Sequence, residues 1–394
     1  MTSGEKRLLL SLVGSLTFAS VYATLVMAPV LTQLSDEFGV STGTAGLVAA
    51  AYGGPGIVTS LLGGPYSDRF GRKVFLVAGA FIMGVFTILA ALAPTFETLI
   101  LARAIAGIGG SLIFPNANAL VGDVFPHGGR GRAMATVIGF NTMASVIGVP
   151  VAGVVAEATS WRVSVGLVGV IAIAAGTGLA IFLRPSSSNI NEQRVWAMYR
   201  LILSNGSAVA AIISSFLGSL YWFTWITYLV VFFQHTYGLS EGRAATYSLT
   251  LGLGVLIGSQ IGGRIGDRIG HRRVVAGTIV GSGLILLVLT NASPPLLAAA
   301  ALNVALSAVI GARFATNTSL LMEQVPAARG TLFAFSSATA SLATVAGATI
   351  GGVFVDTLGF WAIGVFCMVV AVLSSVIVLA FVREEALEVD LGAA

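Results

Sequence analysis

The chain has 394 residues, of which 56% are hydrophobic and 9% charged, and its formal charge is +4. About a quarter of the residues of soluble globular proteins are charged, so the composition excludes a soluble domain and predicts an all-α membrane protein. The single cysteine, Cys367, excludes a disulfide framework and a cysteine metal site, so we expect no metal. The small positive charge lies in loops and predicts no nucleic-acid partner.

Twelve apolar segments are long enough to cross about 30 Å of hydrocarbon as helices. They cover residues 8–31, 44–64, 74–94, 97–121, 133–156, 163–183, 207–233, 244–264, 274–291, 294–318, 330–354 and 359–382, and are numbered here as spans 1 to 12. They lack the period-two alternation of barrel strands, which predicts helices. The first segment is longer than the apolar part of a signal peptide, so we expect an uncleaved span.

The basic residues predict the orientation of the spans. With a cytoplasmic N-terminus, sixteen of the twenty Lys and Arg residues fall on the cytoplasmic side. They are Lys6, Arg7, Arg69, Arg72, Lys73, Arg130, Arg132, Arg184, Arg194, Arg200, Arg264, Arg268, Arg272, Arg273, Arg329 and Arg383. Only Arg162 and Arg243 fall in outer loops. This bias predicts a multi-pass protein of the cell (inner or plasma) membrane with both termini in the cytoplasm and lipid as a neighbour.

One charged loop occurs twice, with an offset of 199 residues. The first copy contains Gly64, Asp68, Arg69, Gly71, Arg72 and Lys73, and the second contains Gly263, Asp267, Arg268, Gly270 and Arg272. Glu157 and Asp356 share the same offset. The repeat predicts two pseudo-symmetric six-helix bundles at 1–183 and 207–382. A cytoplasmic linker at 184–206, either a short amphipathic helix or an unstructured tether, joins them, and a cytoplasmic tail follows at 383–394.

Small residues four apart mark places where helices approach closely. Span 8 has the longest such stripe, Gly254, Gly258, Gly262 and Gly266, and spans 2, 5 and 11 have shorter ones. Because these spans occupy equivalent places in the two repeats, we expect their stripes to form the seam between the halves.

Three sets of residues resemble the major facilitator superfamily over the whole chain. The stretch from Gly64 to Leu76 resembles its signature loop, and a weaker copy begins at Gly263. Leu99, Arg103, Gly107 and Gly109 resemble the span 4 motif of its proton-coupled members. Gly139, Gly148, Pro150 and Gly153 resemble the span 5 motif of its antiporters, with Val149 where a glycine is usual. Together with Trp161 and Arg162, these residues are most similar to the drug:proton antiporter branch, which includes sugar and nucleoside efflux proteins.

The resemblance implies a gating role for the charged loop. Asp68 is expected to pair with Arg72 or to face a helix N-terminus, with Asp123 as a further partner, so that the cluster holds the inner gate shut. The alternative is a set of charges that anchors the loop to anionic lipid head groups.

In this superfamily spans 1, 4, 7 and 10 line a central cavity. The expected cavity residues are mostly aromatic with a few amides and hydroxyls, and they suit an amphipathic solute. They are Tyr22, Phe114, Asn141, Trp222, Trp225, Tyr228, Asn303, Ser307, Phe314 and Asn317.

Two arginines lie within spans, whereas no Asp, Glu, Lys or His lies in the middle of one. A charge at depth is costly, so Arg103 is a candidate coupling residue that either attracts an anionic solute group or tunes a nearby acid. Arg313 is expected to reach towards the cytoplasmic surface.

These features predict a transporter rather than an enzyme, since no nucleophile, acid pair or metal cluster lies at depth. The expected function is export of a small amphipathic or hydrophobic solute, drug-like or a sugar or nucleoside, by alternating access. The proton gradient is the expected energy source, no cofactor is expected, and a monomer is sufficient. Two alternatives are a uniporter or importer without proton coupling, and a non-transporting membrane sensor on the same fold.

Overall fold

The computed structural model describes residues 3–125, 127–183, 192–325 and 329–384. Within these ranges it leaves out the side chains of residues 3, 64, 65, 68, 69, 127–131, 192–196, 329 and 330. The regular structure of the described part is entirely helical, and twelve of its segments are long and apolar enough to cross a membrane. The predicted all-α membrane fold is confirmed.

Most spans are one helix and four are broken. Span 1 comprises Ser3–Leu25, a 3-10 turn at Ala28–Val30 and Leu31–Phe38; span 2, Thr42–Gly53 and Gly56–Phe70; span 3, Arg72–Ala91; span 4, Phe96–Val124; span 5, His127–Met143, a π-helical turn at Ala144–Gly148 and Val149–Ala158; span 6, Trp161–Phe182; span 7, Gly206–Tyr237; span 8, Glu241–Thr246 and Leu249–Ile269; span 9, His271–Asn291; span 10, Leu296–Gln324; span 11, Arg329–Thr357; and span 12, Phe360–Phe381. The linker contains a helix at Glu192–Ser204, as one of the two sequence interpretations predicted.

The repeat is visible in the backbone as well as in the sequence. Gly71 and Gly270, which separate spans 2 from 3 and 8 from 9, have φ of +92° and +95°. Gly39 and Gly238 end spans 1 and 7 with φ of +62° and +64°. Both pairs are 199 residues apart. Because positive φ strains any residue with a Cβ, glycine is favoured at these four reversals.

The hydrophobic core is divided between the halves. One buried cluster is centred on spans 1 to 6, with Leu16, Met83 and Trp161 among its members. A second cluster is centred on spans 7 to 12 and includes Trp225 and Cys367. Each half therefore has a core of its own, as a bundle that moves as a unit requires.

The halves meet where span 2 packs on span 11 and span 5 packs on span 8. A methyl group at Gly53 would lie 3.1 Å from Thr344, and one at Gly252 would lie 1.9 Å from Val146. The glycine stripe of span 8 was assigned wrongly to this seam. A methyl group at Gly258 would lie 1.8 Å from the Ala308 carbonyl oxygen, so the stripe packs on span 10 of its own half.

The linker helix contacts both halves. The Tyr199 hydroxyl donates a hydrogen bond of 2.7 Å to the Leu61 carbonyl of span 2, and its ring packs edge-on against Phe335 of span 11 at 5.3 Å. Burial raises the pKa of this hydroxyl, which therefore remains a neutral donor. We call the end of the bundle that carries this helix and the Gly71 and Gly270 loops the basic end, and the opposite end the far end.

Candidate functional site

The two halves are joined by polar contacts at the far end. The Thr32 hydroxyl of span 1 donates to the Gln234 side-chain oxygen of span 7 at 2.9 Å. Asp356, at the end of span 11, accepts a hydrogen bond of 2.8 Å from the backbone N–H of Gly43 in span 2. Glu157, at the end of span 5, accepts a bond of 2.5 Å from the Gly242 N–H in span 8. The far end is therefore closed.

Spans 5 and 8 have room around them nearer the basic end. A methyl group at Gly139 of span 5 or at Gly263 of span 8 would meet no atom within 4 Å. Phe114 of span 4 and Phe314 of span 10 are 44% and 36% exposed. These positions are less tightly packed than the contacts at the far end.

A narrow crevice with room for about one water molecule lies between the halves. Its wall includes Thr24, Met27 and Ala49 from the first half and Phe223, Thr227 and Thr344 from the second. This wall is mainly apolar with three hydroxyl groups, and in this conformation the space that it encloses is too small for a solute.

The charged loop of the first half ties neighbouring spans together. Arg72, at the start of span 3, forms an ion pair with Asp123 near the end of span 4. Lys73 beside it is half-buried. The side chains of Asp68 and Arg69 lie outside the described part of the chain, so the expected pairing of Asp68 stays a prediction. For Gly64 only the helical backbone is described.

The second charged loop contains a histidine cluster that the sequence did not reveal. The His271 Nδ1 atom lies 3.0 Å from a Glu323 carboxylate oxygen of span 10, and Nε2 lies 3.4 Å from an oxygen of Asp267. Glu384, after span 12, accepts from the backbone N–H of His271 and of Arg272, the latter at 3.3 Å.

The remaining basic residues of that loop point elsewhere. The Arg272 guanidinium donates to the carbonyls of Val378 and Leu379 at the end of span 12. Arg268 is exposed. The described pairs of both loops thus connect spans of one half, whereas the gate expected from the sequence would connect the two halves.

Arg103 is fully buried in the first third of span 4. Its Nη2 donates a bond of 2.8 Å to the Ala23 carbonyl of span 1, and its guanidinium carbon lies 4.2 Å from the centre of the Tyr52 ring. Nε and Nη1 have no hydrogen-bond partner among the described residues. A buried cation with two unused donors is costly, and a bound acceptor group would relieve that cost.

Arg313 is also buried, so the expectation that it reaches the surface was wrong. It is 2% exposed in the middle third of span 10, and its guanidinium carbon lies 4.7 Å and 5.6 Å from the Phe314 and Tyr221 ring centres. Nε and Nη2 lack partners within the described ranges. Gly218 makes the space, because a methyl group there would lie 2.0 Å from Nη1. Aromatic faces hold the cation inside the bundle.

Three of the expected cavity residues are aromatic side chains of spans 4, 7 and 10, and two of them are in contact. Phe314 packs edge-on against Trp222 of span 7, with ring centres 6.2 Å apart. Phe114 is the most exposed of the three and Trp222 is 8% exposed. Together they supply apolar surface from spans 4, 7 and 10.

Other expected cavity residues take part in contacts inside the bundles. The Trp225 indole N–H points at the Asn303 oxygen at 3.4 Å, and Asn303 donates to Thr250 at 2.6 Å. Ser307 bonds the Asn303 carbonyl at 2.7 Å, and Asn317 donates to Ser215 at 3.0 Å. These polar groups are already satisfied within the second half.

Tyr22, Tyr228 and Asn141 have different surroundings. Tyr22 packs edge-on against Phe18 inside the first half. Tyr228 belongs to the far-end closure, since its hydroxyl donates to Ala348 O at 2.7 Å and lies 3.3 Å from Gly43 O. The buried side-chain oxygen of Asn141 on span 5 has no partner in the described part.

The span 5 motif lies at a break in the helix and at the seam. A π-helical turn ends at Gly148, and Pro150 follows in the first turn of the next helical segment. A methyl group at Gly148 would lie 3.1 Å from the Tyr22 ring, and one at Gly153 would lie 2.2 Å from the Ala245 methyl of span 8. The motif therefore sets how closely span 5 approaches spans 1 and 8.

Comparison with known proteins gives one family. A sequence model of the Major Facilitator Superfamily matches residues 10–259 and 244–393. The uncharacterized MFS-type transporter YceJ of Bacillus subtilis is 24% identical over 356 residues, 89% of this chain and 90% of the relative. YwfA of the same organism is 30% identical over 145 residues, 37% of this chain and 35% of the relative. YwfA and two further relatives match over only 35% to 42% of their own lengths.

The fold is also found among solved structures. The crystal structure of the D-xylose-proton symporter superposes with a TM-score of 0.80 and 19% identity, covering 97% of this chain and 99% of the symporter. At this identity the likeness shows the fold alone.

Proposed function

The chain belongs to the Major Facilitator Superfamily, and on this premise we propose that it exports a small amphipathic solute from the cytoplasm in exchange for protons. It is a multi-pass membrane transporter with alternating access, not an enzyme. The proposal concerns the solute, its direction and the energy source.

The proposed class of solute is inferred from the two buried arginines. Arg103 and Arg313 lie on spans 4 and 10, which are equivalent in the two halves. Each lies beside aromatic rings and has two guanidinium nitrogens without a hydrogen-bond partner among the described residues. A drug-like molecule, or a sugar or nucleoside derivative, with an apolar body and an acceptor or anionic group would use both features. Multidrug resistance protein 1 of Bacillus subtilis is 24% identical over 48% of this chain, which supports a drug-like solute.

The proposed direction rests on the resemblance to the drug:proton antiporter branch, and the closed far end and the positive-inside pattern are compatible with it. If the basic end faces the cytoplasm, the conformation described here takes up solute from the cytoplasm. Opening of the far end would then release it outside.

Proton exchange is supported by the residues of spans 4 and 5 that resemble proton-coupled members of the superfamily. The competing function is a uniporter or importer without proton coupling, which is favoured by the lack of any acidic residue in the middle of a span. A non-transporting sensor on this fold would bind a solute without moving it.

Flux measurements on the purified protein in proteoliposomes separate these functions. An imposed pH gradient is combined with a panel of lipophilic drugs, sugars and nucleosides, each neutral compound paired with a carboxylate or phosphate derivative. We expect exchange linked to movement of protons, with the acceptor-bearing member of a pair preferred. Equilibration that ignores the pH gradient would support uniport, and binding without flux would support a sensor.

A further inference from the structure

At the far end, Asp356 of the second half bonds the start of a helix in the first half. Its two carboxylate oxygens accept from the Gly43 N–H at 2.8 Å and from the Ser41 hydroxyl at 2.5 Å. Ser41 is the N-cap of the Thr42–Gly53 helix, so the acid meets the positive end of that helix from across the seam.

Glu157 of the first half makes the reciprocal contact. One carboxylate oxygen accepts from the Gly242 N–H at 2.5 Å and from the Ser240 hydroxyl at 3.3 Å. Ser240 is the N-cap of the Glu241–Thr246 segment that begins span 8. The free N–H groups of the first turn of one half are thus satisfied by an acid of the other half.

The two contacts are equivalent by the repeat. Glu157 and Asp356, Ser41 and Ser240, and Gly43 and Gly242 are each separated by 199 residues. Both glycines are needed for the close approach, because a methyl group at Gly43 would lie 2.4 Å from an Asp356 oxygen and one at Gly242 would lie 2.3 Å from a Glu157 oxygen.

We propose that Asp356 and Glu157 are a pair of gate-positioning residues whose ionised carboxylates hold the far end closed and whose protonation from the far-end solution releases it. We call the two contacts the far-end latches. Their assignment to the outside of the cell rests on the proposed function. These acids sense the proton concentration at the far end and do not carry protons across the membrane.

Solvent reaches both acids, so the pH of the bulk solution can act on them. Asp356 and Glu157 are exposed, although the N–H groups that they bind are buried. Beside Glu157 a surface cleft is lined by Asp36 and Glu37, and Glu37 is paired with Arg162.

Other titratable groups face the latches. Glu241 interacts with both Glu157 and Asp36, so three acids gather at the contact between spans 5 and 8. The Tyr228 hydroxyl lies at the Asp356 contact.

The direction of the pH effect depends on which protonation state of the carboxyl group makes the hydrogen bonds across the seam. An ionised carboxylate accepts the N–H bond and is attracted by the helix terminus, whereas the neutral acid loses the attraction of its charge. The closed far end is therefore favoured above the range in which carboxyl groups titrate and is weakened as the pH falls through it. For one exposed contact of this type, the ratio of closed to open protein should change about two- to fivefold. The changes caused by the two latches multiply.

A distance measurement on the purified chain tests this without any solute. Spin labels at Leu92 and Asn291, which end spans 3 and 9 at the far end and are 199 residues apart, report the separation of the halves. Cys367 is buried and is first replaced by alanine. We expect the long-distance population to grow several-fold as the pH falls from about 7.5 to about 3.5, through the range where carboxyl groups titrate.

The double variant Asp356→Asn with Glu157→Gln should be more open at neutral pH and show no pH response. Glu97→Gln is the matched control, because Glu97 is an exposed far-end acid in the first turn of span 4 and bonds only within its own helix start. It should behave as the parent does. If the double variant does not fold, Ser41→Ala with Ser240→Ala removes one donor from each latch and should shift the distances in the same direction.

A parent protein that ignores pH, or a double variant with the parent's pH response, would overturn the proposal. The proposed function fails differently, by absence of proton-linked flux in proteoliposomes whose protein still opens at low pH.

Discussion

Arg72 and His271 stand at equivalent positions of the two halves, and each contacts a carboxylate near the end of an equivalent span. Arg72 pairs with Asp123 of span 4, and His271 Nδ1 lies 3.0 Å from Glu323 of span 10. Arginine is always charged, whereas an imidazole changes its charge near neutral pH. The first half therefore has a permanent ion pair at the basic end, and the second has one that depends on protonation.

The variant His271→Arg should make the two halves alike. With a permanent cation among Asp267, Glu323 and Glu384, transport should lose the part of its pH dependence that comes from the basic-end solution. His271→Gln should lose it as well, with a less stable second half. The measurement is initial flux in proteoliposomes as the pH on the basic-end side is varied. An unchanged profile in both variants would contradict this role.

Replacement of Arg103 by glutamine should weaken solute binding. A charge-assisted hydrogen bond contributes about 1.5–3 kcal/mol, so KM for an acceptor-bearing solute should rise about 10- to 100-fold. The matched control is Arg268→Gln, which removes an exposed arginine of the loop between spans 8 and 9. Thermal unfolding in detergent distinguishes lost binding from lost folding. A variant that folds normally and keeps the parent KM would show that Arg103 holds the bundle and not the solute.

Substitution of alanine for Gly43 should prevent closure of the far end. The new methyl group would lie 2.2 Å from the Gly352 carbonyl oxygen, closer than real Cβ atoms approach, and backbone cannot swing away. Transport should fall at least tenfold while the protein still folds. The control Gly277→Ala adds a methyl group at a position with no other described atom within 4 Å, and it should leave transport unchanged. Equal activity in the two variants would argue against tight closure at this contact.

The linker helix should influence the conformational equilibrium through Tyr199. Tyr199→Phe keeps the ring contact with Phe335 but removes the hydrogen bond to Leu61, a loss of about 1 kcal/mol or roughly fivefold in a two-state ratio. Labelling rates of a cysteine placed at Gly139, near the basic end, report the change. Tyr199→Trp, which keeps a donor and a ring, should restore part of the effect. Identical labelling in the parent and Tyr199→Phe would contradict a bridging role.

The sequence predicted the fold because hydrophobic length and charge asymmetry act over whole spans. Twelve spans and the repeat followed from patterns that need no knowledge of packing, whereas the linker helix was one of two interpretations that the sequence left open. The direction in which a small residue faces does need that knowledge, so the Gly258 stripe was placed at the seam when it packs on Ala308. Arg313 was misplaced for the same reason, since only the fold shows the Tyr221 and Phe314 rings beside it.

The far-end latches could have been found from the sequence in part. The shared offset of Glu157 and Asp356 was visible, and the same offset links Ser41 to Ser240. That each acid reaches across to the other half could not be predicted, because a repeat fixes equivalence and not the pairing of surfaces. The His271 cluster was hidden for a similar reason, since Glu384 comes from a segment distant in sequence.

Alternating access requires the halves to separate at the far end, and a reversible crosslink there tests this most directly. In a Cys367→Ala background, cysteines at Ser41 and Asp356 replace two side chains whose oxygens are 2.5 Å apart. We predict that oxidation of this pair stops solute flux and that reduction restores it, while each single cysteine variant is unaffected by the oxidant. Flux that continues at the parent rate through the fully crosslinked protein would contradict the mechanism.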